Sequence, residues 1–250
     1  MHILKSVLFY YIFNNSINFI FTFNILFLQK LQTKRNTPIH DLGKINNIKI
    51  LVKLKSFNNL KARPAYYILK EAIKAGNINR DTIVVESSSG NFAILLAALC
   101  NQIGLKFVPV IDPNINPSYE NLLHTLCSTV IKVSQRDNTG GFLKTRLATM
   151  KKFLDKHPNS YWTNQYNNPN NFKVHYLSLG EEIIKSGFNF DYIFIAVSAL
   201  ETITGVSKRI KESQANCKTI AADVNGSSIL TLQPMLIIFL VLVLAFIPRF

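Results

Sequence analysis

Three consecutive serines, a glycine and an asparagine form the stretch of this chain with the clearest chemical potential. They lie in VVESSSGNFAILLAALC, between a short apolar run and a longer apolar run at residues 92–100. This pattern predicts a strand, a polar turn and a largely buried helix. The first backbone N–H groups of such a helix have no partners within the helix, so an anion could dock at the turn. The alternative is that Ser88 or Ser89 only caps the helix, because serine is a preferred cap residue.

Strand-like and helix-like segments alternate on both sides of this turn. Strands are predicted at residues 48–54, 82–86, 106–111, 129–133, 191–198 and 217–224, and helices at 64–76, 92–100, 119–126, 179–187 and 204–213. This alternation indicates parallel βαβ units, and therefore an α/β fold with parallel sheets flanked by helices. Residues 87–91 and 198–205 each follow the carboxyl end of a strand, which is where such sheets bind ligands, so we expect both loops to serve one site.

The composition argues against several other function classes. The 250 residues include 28 Lys and Arg against 14 Asp and Glu, a formal net charge of +14. These charges are scattered and accompany no nucleic-acid-binding motif, so they predict only a general attraction to anionic substrates. Cys100, Cys127 and Cys217 show no CxxC spacing, and the five histidines form no paired motif. We therefore predict reduced thiols in a cytoplasmic protein, no protein metal site and no nucleic-acid partner.

The two ends of the chain differ from its middle. Residues 7–28 are rich in Phe and Ile but are interrupted by several asparagines, and residues 235–247 form an unbroken apolar run of 13 residues. The second run is shorter than the ~20 residues that a helix needs to cross a bilayer. Membrane association through either segment stands as an alternative to a purely cytoplasmic location.

The middle of the chain resembles a known family. NTPIHDLGK, IKILVKL, KARPAYYIL, VVESSSGNFAI, YWTNQYNNPNN and AVSALETITGVSKRI occur in the order and near the spacing found in cysteine synthase-like, fold-type II pyridoxal-phosphate enzymes. ESSSGN, NTGGFLKTRL and YWTNQYNNPNN are most similar to the branch that makes a 2,3-diaminopropionate precursor of siderophores. The resemblance covers residues 36–229 and implies a two-lobed, tryptophan synthase beta-like fold with a smaller lobe at about 91–144. Residues 1–35 and 230–250 are an unmatched leader and tail, so the fold is expected to be incomplete.

The resemblance assigns roles to individual residues. Lys61 matches the lysine that forms a Schiff base with pyridoxal 5'-phosphate and later removes the Cα proton of the substrate. Without the resemblance, a solvated lysine would be the ordinary interpretation. Asn91 matches the asparagine that hydrogen-bonds the phenolic oxygen of the cofactor. The residues implied to bind the substrate carboxylate are Ser87, Ser88, Ser89, Gly90 and Gln165. For the last of these, the alternative is a surface amide in an Asn-rich loop.

The loop that would hold the cofactor phosphate departs from the family pattern. By resemblance its residues are Ser198, Ala199, Leu200, Glu201 and Thr202. The family has small residues, often glycines, where this chain has Leu200 and Glu201. A carboxylate repels a phosphate at close range, so we expect weak, lysine-dependent cofactor binding.

The resemblance implies a β-replacement enzyme of amino-acid or siderophore-precursor biosynthesis. Its substrate would be a small activated serine, O-phospho-L-serine or O-acetylserine, with the amine of glutamate or sulfide as nucleophile. The family also implies a homodimer. The alternative is a truncated, non-catalytic remnant. Three departures from the family pattern favour that alternative. They are the loss of glycines, the presence of Glu201 in the phosphate loop and the missing carboxyl-terminal part.

Overall fold

The computed structural model of the protein describes residues 37–54, 60–197, 200–223 and 243–247. Over this part of the chain there are two compact units. Unit 1 is Ala65–Gln165, and unit 2 comprises the described residues before and after it. The smaller lobe predicted at about residues 91–144 lies within unit 1, and its boundaries stay a prediction.

The elements follow the predicted alternation of strands and helices. The strands are β1 (Ile39–Ile45), β2 (Ile48–Lys53), β3 (Ile83–Ser87), β4 (Lys106–Ile111), β5 (Ile131–Lys132), β6 (Ser160–Trp162), β7 (Tyr192–Ala196), β8 (Lys218–Ala222) and β9 (Val243–Ile247). The helices are α1 (Ala62–Lys74), α2 (Asn91–Ile103), α3 (Pro117–Leu126), α4 (Leu143–Lys156), α5 (Pro169–Val174), α6 (Glu181–Ile184) and α7 (Glu201–Ser213). A π-helical segment, His175–Gly180, joins α5 to α6.

Unit 1 is built on a four-stranded parallel sheet with the strand order β5-β4-β3-β6. Parallel sheets are covered on both faces, so their central strands are apolar and buried. In β3 and β4, all residues except the first of each strand are buried. The side chains of Phe142 and Met150, from the start and the body of α4, pack on Val85 and Val108 of this sheet. The predicted α/β fold with parallel strands flanked by helices is confirmed.

Unit 2 has a five-stranded mixed sheet with the order β1-β2-β9-β7-β8. Among the strands that the structure describes in this unit, β7 and β8 pair in parallel, and the other neighbours are antiparallel. β9 comes from the end of the apolar run at 235–247, whose first eight residues lie outside the described residues. Residues 7–28 lie outside them as well. Over the part of the chain that the structure describes, no helix has both the length and the apolar character needed to span a membrane.

Two glycines allow the helices of unit 2 to pack closely. A Cβ atom on Gly205 of α7 would overlap the carbonyl oxygen of Phe172 and lie 2.8 Å from the Cβ atom of His175. A Cβ atom on Gly180 would lie 2.7 Å from the Cβ atom of Arg209. The π-helical segment therefore lies directly against α7, the helix that begins at the predicted phosphate loop.

Candidate active site

The serine turn connects the buried end of β3 to the amino end of α2. Gly90 precedes α2 in an extended conformation, and no side chain caps the helix at that position. The Oγ atom of Ser88 instead accepts a hydrogen bond of 3.4 Å from the backbone N–H of Gly90. Ser87 is fully buried, and its Oγ atom has no hydrogen-bond partner among the described residues. In this structure its hydroxyl therefore faces the protein interior rather than solvent.

Ser89 is held by a carboxylate and a guanidinium. Its hydroxyl donates to Oδ2 of Asp112 at 3.1 Å and accepts from the backbone N–H of Asp112 at 3.0 Å and from Nη1 of Arg146 at 3.1 Å. Arg146 also pairs with Asp112 at 3.2 Å, and both side chains are about nine-tenths buried. A serine hydroxyl has one donor and two acceptor positions, so all three are in use. Sequence reasoning missed both partners, although Arg146 lies within the NTGGFLKTRL motif.

Asn91, the first residue of α2, is exposed and contacts α3. Its Oδ1 atom accepts a hydrogen bond of 2.7 Å from the hydroxyl of Tyr119. The amide NH₂ group is the remaining polar part of this side chain and is a donor. A phenolic oxygen that carries negative charge requires a donor, so this arrangement suits the role that the resemblance implies.

Gln165 is connected to the serine turn through the buried carboxylate of Glu86. Glu86, in β3, accepts hydrogen bonds from the backbone N–H of Gln165 at 3.1 Å and of Ser87 at 2.9 Å, and from the hydroxyl of Thr163 at 2.5 Å. Burial raises the pKa of Glu86, while these hydrogen bonds oppose the rise. Gln165 is only 7% exposed, so its alternative interpretation as a surface amide is wrong.

Lys61 immediately precedes α1 and is largely buried in unit 2. Its side chain is 25% exposed, and it forms an ion pair with Glu201. Burial lowers the pKa of Lys61 to about 8. This lysine is therefore not the fully solvated side chain that composition alone would suggest.

A buried charge cluster fixes the first turn of α1, two residues after Lys61. The carboxylate of Glu182 pairs with Nη2 of Arg63 at 2.7 Å and with Nζ of Lys53 at 3.0 Å. The hydroxyl of Thr37 donates to the same carboxylate at 3.3 Å. Burial lowers the pKa of Lys53, and its pairing with Glu182 opposes this effect. The cluster joins β2, α6 and the start of α1, and so limits the positions that the backbone at Lys61 can take.

Glu201 and Thr202 form the start of α7, where the phosphate loop was predicted. Glu201 is the first residue of this helix, at the end where the helix dipole favours negative charge. Thr202 is buried, with its hydroxyl 3.5 Å from Nε2 of His175. Leu200 has a φ of 61°, a left-handed conformation that glycine adopts more readily. Ser198 and Ala199 lie outside the described residues.

Within each unit, the structure brings predicted site residues together. In unit 1, Glu86 links the serine turn to Gln165. In unit 2, Lys61 contacts Glu201 at the start of α7. Unit 1 thus provides a turn of hydroxyl and N–H donors, and unit 2 separately provides a shielded amine and a helix amino end. Such groups can form a covalent bond to a carbonyl compound and hold anionic groups.

Comparison with known proteins identifies similar enzymes. A family profile described as "Pyridoxal-phosphate dependent enzyme" matches residues 30–234. N-(2-amino-2-carboxyethyl)-L-glutamate synthase from Ralstonia nicotianae is 32% identical over 205 residues, which are 79% of this chain and 61% of that enzyme. The chain therefore spans about three-fifths of the length of this relative.

Two solved structures show the same similarity in three dimensions. A hydrogen sulfide-producing enzyme from Fusobacterium nucleatum superposes with a TM-score of 0.72 at 28% identity, covering 81% of this chain and 63% of that one. The O-acetylserine-dependent cystathionine beta-synthase from Helicobacter pylori gives a TM-score of 0.68 at 26% identity, covering 80% and 67%.

Proposed function

The chain belongs to the pyridoxal-phosphate-dependent enzyme family, and from this membership we propose that it catalyses β-replacement on an activated serine. The leaving group departs from Cβ of O-phospho-L-serine or O-acetylserine, and a nucleophile takes its place. The observation that carries the proposal is Lys61, a largely buried amine with a pKa of about 8 at the position that matches the family's lysine.

The amine of L-glutamate is the nucleophile that we favour. The name of the Ralstonia nicotianae relative describes a 2-amino-2-carboxyethyl group on the nitrogen of glutamate, which is the expected product of adding that amine to a serine-derived three-carbon unit. The formal net charge of +14 favours the approach of glutamate and phosphoserine, both of which are anionic. Sulfide is the second candidate, because the resemblance to cysteine synthase-like enzymes implies it as a nucleophile.

The described residues fit pyridoxal phosphate at the lysine. A lysine with a pKa of about 8 has a free-amine fraction of roughly one-tenth at pH 7, far more than an ordinary lysine has. The backbone N–H groups at the start of α7 suit a phosphate, and Glu201 at the same place disfavours one. When bound, the cofactor supplies the electron sink for negative charge at the substrate Cα atom.

The proposed roles of the protein groups follow from their chemistry. Lys61 accepts the Cα proton at Nζ and later returns a proton there. The N–H groups of the serine turn, the hydroxyl of Ser88 and the side chain of Gln165 bind the substrate carboxylate. Ser89 supports the turn through Asp112 and Arg146. The NH₂ group of Asn91 would donate to the phenolic oxygen of the cofactor, and Thr202 would help to hold its phosphate.

A non-catalytic remnant is the second candidate. The ion pair between Lys61 and Glu201 favours it, because a paired ammonium is not a nucleophile. We further propose a cytoplasmic homodimer, which rests on the family resemblance and is testable by light scattering of the purified chain.

Product formation distinguishes the two candidates. The purified chain is incubated with pyridoxal phosphate, O-phospho-L-serine or O-acetylserine, and either glutamate or sulfide, and the products are identified by mass spectrometry. We expect N-(2-amino-2-carboxyethyl)-L-glutamate from the native chain and none from Lys61→Ala. Lys74→Ala is the matched control, because Lys74 is an exposed lysine in the last turn of α1. A native chain that loads the cofactor but gives no product with any pair of substrates would favour the remnant.

A further inference from the structure

Glu201 lies where it can affect two requirements of cofactor capture: a free amine at Lys61 and a place for the phosphate at the amino end of α7. Its carboxylate contacts Nζ of Lys61 and lies in the first turn of α7. The Glu201 side chain is only 10% exposed, so water screens its charge poorly. The pair joins residues 140 positions apart in the sequence, both within unit 2.

Capture of an aldehyde requires Lys61 to be a free amine. The nitrogen lone pair forms a bond to the aldehyde carbon, and the aldehyde oxygen leaves as water. An ammonium group has no lone pair, so it must first transfer a proton to water or to buffer. Both protons of the neutral amine then leave with the aldehyde oxygen as the released water molecule. An adjacent carboxylate stabilises the ammonium and so lowers the fraction of free amine.

We infer that Glu201 is a built-in counter-ion of Lys61 that slows cofactor capture, by holding the lysine as an ammonium and by repelling the phosphate at the amino end of α7. This inference deepens the proposed function and rests on it for the identity of the lysine. The carboxylate takes the place at the helix dipole that an incoming phosphate would use. Glu201 is therefore a residue that contacts the reacting nitrogen and sets its availability.

The test compares Glu201→Gln with Glu212→Gln. Glutamine keeps the size of the side chain and removes its charge. Glu212 lies near the other end of α7, about 16 Å further along the helix axis at 1.5 Å per residue, and its exposed carboxylate accepts a hydrogen bond from Tyr176. The two variants therefore change the net charge equally. The rate of borohydride-trapped modification at Lys61 is measured with pyridoxal and with pyridoxal phosphate.

Glu201→Gln should react with pyridoxal severalfold faster than the native chain at pH 7, because loss of the carboxylate lowers the pKa of Lys61 and each unit of pKa changes the fraction of free amine by up to about tenfold. The gain with pyridoxal phosphate should be larger, because the repulsion of the phosphate is also removed. An equal increase in rate with pyridoxal and with pyridoxal phosphate would overturn the part of the inference in which Glu201 repels the phosphate. A Glu201→Gln chain that reacts no faster than Glu212→Gln would overturn the inference as a whole.

A measurement without any cofactor separates this inference from the proposed function. Competitive acetylation of the native chain and of Glu201→Gln, followed by peptide mass spectrometry, gives the pKa of Lys61 in each. We expect a lower pKa in Glu201→Gln and no change in Glu212→Gln. An unchanged pKa in Glu201→Gln would contradict the counter-ion role, whatever the chain catalyses. A lowered pKa together with fast capture but no β-replacement product would support the counter-ion role and overturn the proposed function.

Discussion

Lys61 experiences two opposing influences on its ammonium group. Burial favours the neutral amine and lowers its pKa to about 8, while the carboxylate of Glu201 favours the charged form. The first makes the side chain reactive near neutral pH, and the second restrains that reactivity. The sequence pointed to Lys61 only through the family resemblance, and it indicated Glu201 as a misplaced charge in a phosphate loop. It could not show the pair, because residues 140 positions apart meet only in the folded chain.

The reactivity of Lys61 should depend on pH with a midpoint near 8. Below that pH the rate of acylation should rise about tenfold per pH unit, and above it the rate should level off. An ordinary lysine has a pKa of 10.5, so the folded chain binds this proton less tightly than the unfolded chain, and the free energy of unfolding should rise between pH 8 and 10.5. Site-resolved labelling measures how the acylation rate of Lys61 depends on pH, with exposed lysines in the same digest as the reference. Levelling only above pH 10 would contradict the assigned burial.

At the level of secondary structure, the sequence was most informative where periodicity and turn residues agreed. The segments at β2, β4 and α2 are predicted closely, since each is rich in apolar residues, and Gly90 directly precedes α2. Other elements gave weaker signals and were missed. β1 is almost entirely exposed and lacks apolar alternation, β6 has three residues, and only Met150 of α4 is fully buried. Their conformations depend on pairing and packing with distant segments rather than on local pattern.

Glu86, in β3, connects two loops of the candidate site through its buried carboxylate. A carboxylate at the end of an apolar strand gives no sequence signal for burial, yet it holds the serine turn of α2 and the Gln165 loop together. Glu86→Gln keeps the shape but turns one acceptor into a donor that faces other donors. We expect a loss of about 1–3 kcal/mol in the free energy of unfolding, from buried polar groups left without acceptors. Urea denaturation monitored by the fluorescence of Trp162 measures it.

The matched control for this substitution is Glu120→Gln, which removes a carboxylate that pairs with Lys132 at the surface of unit 1. Surface pairs contribute about 0–1 kcal/mol, so this variant should change stability little. Equal losses in the two variants would mean that Glu86 does not organise the two loops.

The close packing of α7 on α5 and on the π-helical segment gives a second element-level prediction. Gly205→Ala places a Cβ atom onto the carbonyl oxygen of Phe172, a backbone atom that cannot move aside on its own. We expect a net loss of about 1–3 kcal/mol in stability, although alanine is the better helix former. Gly141→Ala is the control, since its nearest neighbours would lie 3.7 Å away or further. A thermal melt of Gly205→Ala that matches this control would contradict the packing.

At the scale of the whole molecule, the family membership predicted from the order of the motifs is confirmed by the profile match. The parallel sheet of unit 1 was expected from strand–helix alternation. The mixed sheet of unit 2 was not, because β9 comes from the carboxyl-terminal apolar run, which the sequence marked as an unmatched tail and a candidate for membrane association. An apolar run of that length fits a buried strand and a membrane-associated segment equally well by composition. The last five residues of this run form β9, which pairs antiparallel with β2 and β7.

The central claim is that Lys61 carries the cofactor, and peptide mapping of the reduced adduct tests it most directly. The chain is saturated with pyridoxal phosphate, reduced with borohydride and digested, and the modified lysine is located by tandem mass spectrometry. We predict a single saturable pyridoxyl modification at Lys61 that is lost in Lys61→Ala and retained in Lys74→Ala. A saturable adduct on another lysine, or equal labelling of many exposed lysines with none preferred at Lys61, would contradict the claim.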